Sequence, residues 1–336
     1  MADALPLIWA GLLAFAILAY VVLDGFDLGV GILFLVEHDE DDRDVMMNTI
    51  APVWDGNETW LVLGGGGLFA VFPLAYAVVM PALYAAIIGM LLALVLRGVA
   101  FEFRFKTRTR FGRRLWNLAF TAGSLFAAIC QGLALGGLVQ GVHVANRAYA
   151  GGWWDWMTGF TILSGLAVAT GYALLGATWL IWRTEGELQA RCRRHARALG
   201  VAVLALIVVV SLWTPMLNPR FAARWFAWPE IALTSPVPIL VALLAWVFWH
   251  GLSRRHDATP FLAVLGWFVL CFAGLGISLY PYIVPPDLTI WQAAAPPASQ
   301  GFLLVGALVL VPIILAYTGY AYWVFRGKVR AGAHYH

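Results

Sequence analysis

Four carboxylates stand where an apolar chain can least accommodate them. Asp24 and Asp27, in Asp24-Gly25-Phe26-Asp27, lie inside an apolar run from about Leu7 to Val36. Asp55 and Glu58, in Trp54-Asp55-Gly56-Asn57-Glu58-Thr59-Trp60, open the next apolar segment. An ionised carboxylate at membrane depth costs roughly 2.5–3.5 kcal/mol on insertion scales, so intramembrane acids mark ion or proton routes, or pairing sites. Each pair is spaced i, i+3, which puts its members on one helix face. Close carboxylates cannot all ionise cheaply, so a proton is shared among them, and such a cluster can load and pass protons. A purely structural use stays open: Asp55 and Glu58 fall in the first turn of their helix, where a carboxylate suits the dipole. Arg97 is the one base inside a span. It either snorkels to the interface or pairs with Glu102 or with an acid of the first two helices.

The elements that must position these residues follow from composition. The chain has 336 residues, 62% hydrophobic and 12% charged, with mean hydropathy +0.81. This excludes a sizeable soluble domain, and nucleic acid is not an expected partner. Apolar segments of about 20 residues, each able to cross the hydrocarbon layer, are expected at 7–36, 51–73, 76–101, 117–141, 158–182, 198–218, 235–252, 261–283 and 301–325. They are continuously apolar rather than alternating, so they are helices and not barrel strands. The expected fold is an all-α polytopic membrane protein of about nine transmembrane helices: two four-helix bundles and one peripheral helix. As one integral membrane domain it divides into 1–150, which carries the acidic motifs, 151–285, and 286–336 with the ninth helix and the tail.

Nine spans place all the Lys and Arg on one side except Arg97, Arg147, Arg220 and Arg224. That side is cytoplasmic by the positive-inside rule, the N-terminus outside and the C-terminus inside. The acidic stretch Glu37–Asp44 reads as a cytoplasmic loop. Asp24 then lies about 27 Å from Pro6 at ~1.5 Å per residue, in the cytoplasmic half. Asp55 and Glu58, just after Pro52, come to similar depth, so four acids are expected to converge on one polar spot. The first span is too long for a signal peptide and lacks a basic start. Cys130, Cys192 and Cys271 form no C-x-x-C pair and are expected as free thiols. Trp153, Trp154, Trp156, Trp225, Trp228 and Trp291 read as an interfacial belt on the outer face. Gly64–Gly67 reads as a site of close helix packing; no Gly-Lys-Ser/Thr follows it as in a P-loop. His38, His143, His195, His256, His334 and His336 lie in loops or tails and His250 at a span end. A bis-histidine haem between helices therefore lacks ligands, as do copper and di-iron sites, and His334 and His336 read as tail residues rather than a metal site.

Asp24-Gly25-Phe26-Asp27-Leu28-Gly29-Val30-Gly31 and Trp54-Asp55-Gly56-Asn57-Glu58-Thr59-Trp60-Leu61 resemble subunit II of the cytochrome bd-type quinol oxidases. The resemblance continues at Arg97-Gly98, Phe101-Glu102-Phe103-Arg104, Gly186-Glu187-Leu188, Tyr280-Pro281-Tyr282 and Val311-Pro312-Ile313-Ile314 with Tyr317, in order along nearly the whole chain. The compact outer loop around 217–234 is similar to that of the shorter members, including the cyanide-insensitive branch. The resemblance implies a haem-free subunit of an oxidase that takes electrons from quinol and reduces oxygen to water. Haem b and haem d, and the quinol-oxidising loop, would belong to subunit I, which this chain would pack against and stabilise. It further implies a proton route from the cytoplasm through the aspartate matching Asp55, with Trp54 beside it. Asp24 and Asp27 match the acidic pair of the first-helix motif, and Glu58 is not acidic in every member. A quinone held as a structural element in some relatives, and a small single-helix accessory subunit, are left open. So are two rival readings, a secondary transporter with a carboxylate ion site and a purely structural scaffold.

Overall fold

The computed structural model describes residues 4–330; His334 and His336 lie outside the described residues. In chain order the elements are α1 (Leu5–Leu33), α2 (Glu40–Ile50), α3 (Trp54–Val71), α4 (Pro73–Ala82), α5 (Tyr84–Arg104), α6 (Arg110–Gln140), β1 (Val144–Ala145), β2 (Ala148–Tyr149) and α7 (Gly159–Arg183). Then follow α8 (Gly186–Leu217), α9 (Pro219–Phe226), α10 (Glu230–Thr234), α11 (Pro236–Ser253), α12 (Thr259–Leu279), β3 (Tyr282–Val284), β4 (Leu288–Thr289), α13 (Ile290–Ala293) and α14 (Pro297–Val324). Among the described residues 8 helices are long and apolar enough to cross a membrane, and up to 9 spans result if the bent pair α3 and α4 is one. The protein is an all-α, multi-pass membrane protein; among the described residues the strands form two short antiparallel hairpins, β1–β2 and β3–β4.

Three expectations from the sequence are corrected. The third span does not begin at 76: residues 73–82 form the separate helix α4, bent 120° from α3. Phe72 leaves helical geometry at φ −124°, ψ 59°, because the ring of Pro73 pushes the preceding residue out of the α region. The acidic stretch Glu37–Asp44 is largely helix rather than loop. Asp39 caps α2 by accepting from the backbone N–H groups of Asp41 and Asp42 at 3.0 Å, and Glu40, Asp41 and Asp42 suit the positive end of its dipole. Its far end buries Val45, Met46, Met47 and Ile50. The basic stretch 183–197, expected as a loop because it separates the spans 158–182 and 198–218, is also helical from Gly186 onward, since α8 extends well beyond its apolar portion.

Helix α7 is the most buried of the spans and packs on α1, α6, α8 and α12. The α1–α7 crossing depends on two glycines. A Cβ on Gly29 would collide with the backbone carbonyl of Tyr172 and lie 2.8 Å from the nitrogen of Gly176, and a Cβ on Gly176 would strike the backbone of Gly29 and Val30. Small residues permit this backbone contact. Gly64 and Gly67 of α3 face Ile17 and Leu13 of α1, while Gly65 and Gly66 face open space, so only half of the glycine run packs helices. Of the expected belt, Trp153, Trp154, Trp228 and Trp291 are exposed, but Trp156 is buried in a core cluster with Phe72 and Leu83. Helix α14 is peripheral: it touches α1 and α3, and Gln300 is its one buried residue among those described.

Candidate functional site: a buried carboxylate pair on one arginine

Helix α1 turns Asp24 and Asp27 fully inward, and α5 brings Arg97 to them, also fully buried. Arg97 Nη1 donates to Asp24 Oδ1 at 2.6 Å, and its Nη2 lies 3.9 Å from Asp27 Oδ2. The close approach of α6 fixes the arginine, since a Cβ on Gly123 would lie 2.9 Å from the Arg97 backbone nitrogen. The Trp54 ring lies over the guanidinium at 5.9 Å and against Phe101 at 5.1 Å. Asp24 Oδ2, Asp27 Oδ1, Arg97 Nε and Arg97 Nη2 have no hydrogen-bond partner within the described chain.

Polar residues continue from this pair in two directions. Toward the basic face, Asn57 Nδ2 donates to Asp27 Oδ2 at 2.8 Å and to the Leu23 carbonyl at 3.3 Å, and Tyr322 Oη donates to Asn57 Oδ1 at 2.9 Å. A cavity of about 140 Å³ opens beside them, with Pro52, Asp55, Asn57, Tyr317 and Tyr322 in its wall. One turn along α1 in the other direction, Gln131 Nε2 donates to Tyr20 Oη at 2.6 Å and Tyr172 Oη donates to Gln131 Oε1 at 2.7 Å.

The structure thus brings together Asp24, Asp27, Arg97 and Trp54, but not all four acids. Asp55 is exposed at the cavity and Glu58 half-buried. The inner face of α3 is set by Asn57, Trp60 and Gly64, which are buried. At 3.6 residues per turn, Asp55 and Glu58 are rotated from Asn57 by about 200° and about 100°. Glu102 is not the partner of Arg97: it lies on the outside, 3.7 Å from Lys106 Nζ, because five residues carry it about 140° around α5. Sequence reasoning missed Asn57, Tyr322, Tyr20, Gln131 and Tyr172. The spacing of Asn57, Trp60 and Gly64 was a signal for the first, and a glutamine in an apolar span for Gln131; nothing marked Tyr322.

A second charged cluster ties α2 to three helices. Arg104, fully buried, pairs with Asp44 and with Glu40 at 3.2 Å; Arg113 pairs with Asp44 at 2.5 Å; Asn117 donates to Glu40 at 2.8 Å. Arg191 of α8 pairs with Glu37 at 2.9 Å and with Asp42. Partial burial holds the Asp42 carboxyl above its ordinary range, although Arg191 opposes the shift. No group of three or more His, Cys, Asp or Glu placed to hold a metal occurs among the described residues. His38, His143, His195, His250 and His256 are all at least partly exposed, and the three cysteines are free.

Residues 5–325 match the family described as cytochrome bd terminal oxidase subunit II. The chain is 31% identical to the cytochrome bd-I ubiquinol oxidase subunit 2 of Escherichia coli K12, over 97% of this chain and 96% of that protein. It is also 31% identical to the cytochrome bd ubiquinol oxidase subunit 2 of Bacillus subtilis 168, over 96% of each. Its fold is shared with a chain of the bd oxidase from Geobacillus thermodenitrificans, with a TM-score of 0.77 at 18% identity, over 96% of this chain and 98% of that one. The family match spans both acidic motifs, and each relative matches nearly the full length of the chain. The chain belongs to the cytochrome bd terminal oxidase subunit II family.

Proposed function

We propose that the chain is the haem-free second subunit of a bd-type quinol:oxygen oxidoreductase, and that it both stabilises the haem-bearing subunit I and supplies it with protons from the cytoplasm. The observation that carries the second role is the pairing of two fully buried carboxylates with a single guanidinium next to a polar cavity. In a low-dielectric interior an unpaired charge is far more costly than a neutral group. One arginine balances one carboxylate, so the neutral arrangement holds one proton, and it belongs on Asp27, the acid farther from Arg97. Asp55 at the cavity and half-buried Glu58 form the mouth, Asp27 the loading point, Asp24 the counter-ion, and Trp54 a lid over Arg97. Reduction of oxygen to water consumes protons with its electrons, and this path delivers them.

Haem b and haem d would belong to the partner; the described histidines are all at least partly exposed, which does not suit axial ligation of a buried haem. No residue is assigned to a quinone. The basic face is taken as cytoplasmic and the N-terminus as outside, in a bacterial inner membrane, on the distribution of Lys and Arg. The packing also supports two four-helix groups, α1, α3, α5 and α6 against α7, α8, α11 and α12, with α14 outside both. The test is purification from the native membrane in mild detergent with a reduced-minus-oxidised spectrum. Haem b and d bands that travel with a second large subunit, and vanish when this chain is isolated, are expected. A preparation with no such partner contradicts the reading.

A further inference from the structure

The contact between the cavity and Asp27 is a single amide, and its chemistry limits what can pass. This inference rests on the proton-supply reading above. Asn57 is 1% exposed, forms part of the cavity wall and bonds the Asp27 carboxyl. It gives both of its amide N–H bonds to α1, to Asp27 and to the Leu23 carbonyl, and takes the Tyr322 hydroxyl proton on its oxygen. An asparagine amide donates from nitrogen and accepts at oxygen, with no proton that it readily releases. It can orient Tyr322 and Asp27 but cannot hand a proton from one to the other. Protons reach Asp27 only when the amide moves aside and water enters, and the unpartnered Asp27 Oδ1 is the atom that water would meet.

Tyr322 comes from α14, the peripheral helix, and its ring packs edge-on against Phe26 and Trp179. The segment after α14 adds a second hold. Arg183 donates to the Phe325 carbonyl, and Val329 N–H donates back to the Arg183 carbonyl at 2.9 Å. Lys328 Nζ bonds the Thr184 carbonyl at 3.1 Å and Asp257 at 2.7 Å. The end of α14, and with it the Tyr322 hydroxyl, is thus registered to the turn between α7 and α8.

We propose that Asn57 and Tyr322 form a latch between the cytoplasmic cavity and Asp27, closed by their mutual hydrogen bond and held in register by residues 325–329. Both are positioning residues: neither carries the proton. The latch sets how fast Asp27 exchanges with bulk water, and it restrains a loaded proton from returning to the cavity.

The test uses the intact oxidase complex and infrared spectroscopy after transfer to heavy water. A protonated-carboxyl carbonyl band that disappears in Asp27→Asn identifies Asp27, and the rate of its isotope shift reads the latch. Tyr322→Phe keeps the ring and removes the bond; exchange is expected to quicken by about three- to tenfold, the factor that one hydrogen bond is worth. Lys328→Ala, which loosens the grip without touching the site, is expected to quicken it in the same direction. Should Tyr322→Phe fail to assemble, Asn57→Ser provides the same readout. An Asp27 band with unchanged exchange in these variants overturns the latch and leaves the proton-supply reading intact. The absence of any Asp27-dependent carboxyl band from the wild-type complex overturns that reading, and the latch with it.

Discussion

Arg97 lies 2.6 Å from Asp24 but 3.9 Å from Asp27, and on the proposed reading this difference divides the work between two carboxylates that are otherwise alike in burial. Removing the arginine leaves both acids without compensation. Arg97→Leu is expected to cost about 3–5 kcal/mol, the range for breaking a buried ion pair, seen as loss of recoverable complex. Arg97→Lys keeps the charge but not the planar fork, and should restore assembly in part. Asp24→Asn has a different outcome: Asp27 becomes the sole counter-ion and gives up its role as proton holder. Assembly and haem content are then retained while oxygen turnover falls, which a haem-normalised oxygen-electrode assay reads. Asp24, Asp27 and Arg97 were legible in the sequence because a charge in an apolar run has few explanations. Asn57 and Tyr322 were not, because an uncharged polar residue near a helix end has little insertion penalty to draw attention. Which acids of the second motif face inward was also hidden, since the rotation of α3 is decided by the packing of Asn57, Trp60 and Gly64 on α1.

Two elements hold this arrangement in place, and each makes its own prediction. The α1–α7 crossing has no space at Gly29 or Gly176. Gly29→Val is expected to separate the helices and prevent assembly, whereas Gly66→Ala, which faces open space, should leave the yield of complex unchanged. On the basic face, α2 is clamped by arginines from α5, α6 and α8. Arg191→Ala strands the nearly buried Glu37 and should cost about 1.5–3 kcal/mol, as for other hydrogen bonds to charged groups, read as a lower thermal midpoint of the detergent-solubilised complex. Asp42 has the opposite pH sense to an ordinary paired carboxylate. Its raised folded value means that the folded state binds the proton more readily than the unfolded one, so its contribution weakens as pH rises through that window. The midpoint of Asp42→Asn relative to wild type should therefore move in the variant's favour as pH rises through the carboxylate range. The long apolar spans and their order were readable from hydropathy alone. The bend at Phe72 was not, because both sides of it are apolar. Nor was α2, whose helical signals, the Asp39 cap and the buried Met46, Met47 and Ile50, merge into the span that follows.

At the scale of the whole molecule, a narrow column of polar side chains runs into an apolar body. The column starts at the cavity by Asp55, passes Asn57 and Asp27 to Arg97 and Asp24, and has Tyr20, Gln131 and Tyr172 one turn further along α1. The exposed apolar faces of α3, α5, α11 and α14 suit contact with lipid and with a large membrane partner. The central claim is that this column feeds protons to that partner, and Asp27→Asn tests it most directly. Asparagine keeps the size and the hydrogen-bonding capacity of the side chain but cannot hold the exchangeable proton. The measurement is proton uptake by the assembled oxidase during oxygen reduction, followed with a pH indicator at matched haem content. The account predicts normal haem spectra with uptake and turnover lowered together by about 10²-fold, the lower end for losing a proton-transfer group. Wild-type uptake and turnover in a fully assembled Asp27→Asn complex would contradict it and reduce the buried pair to a structural brace.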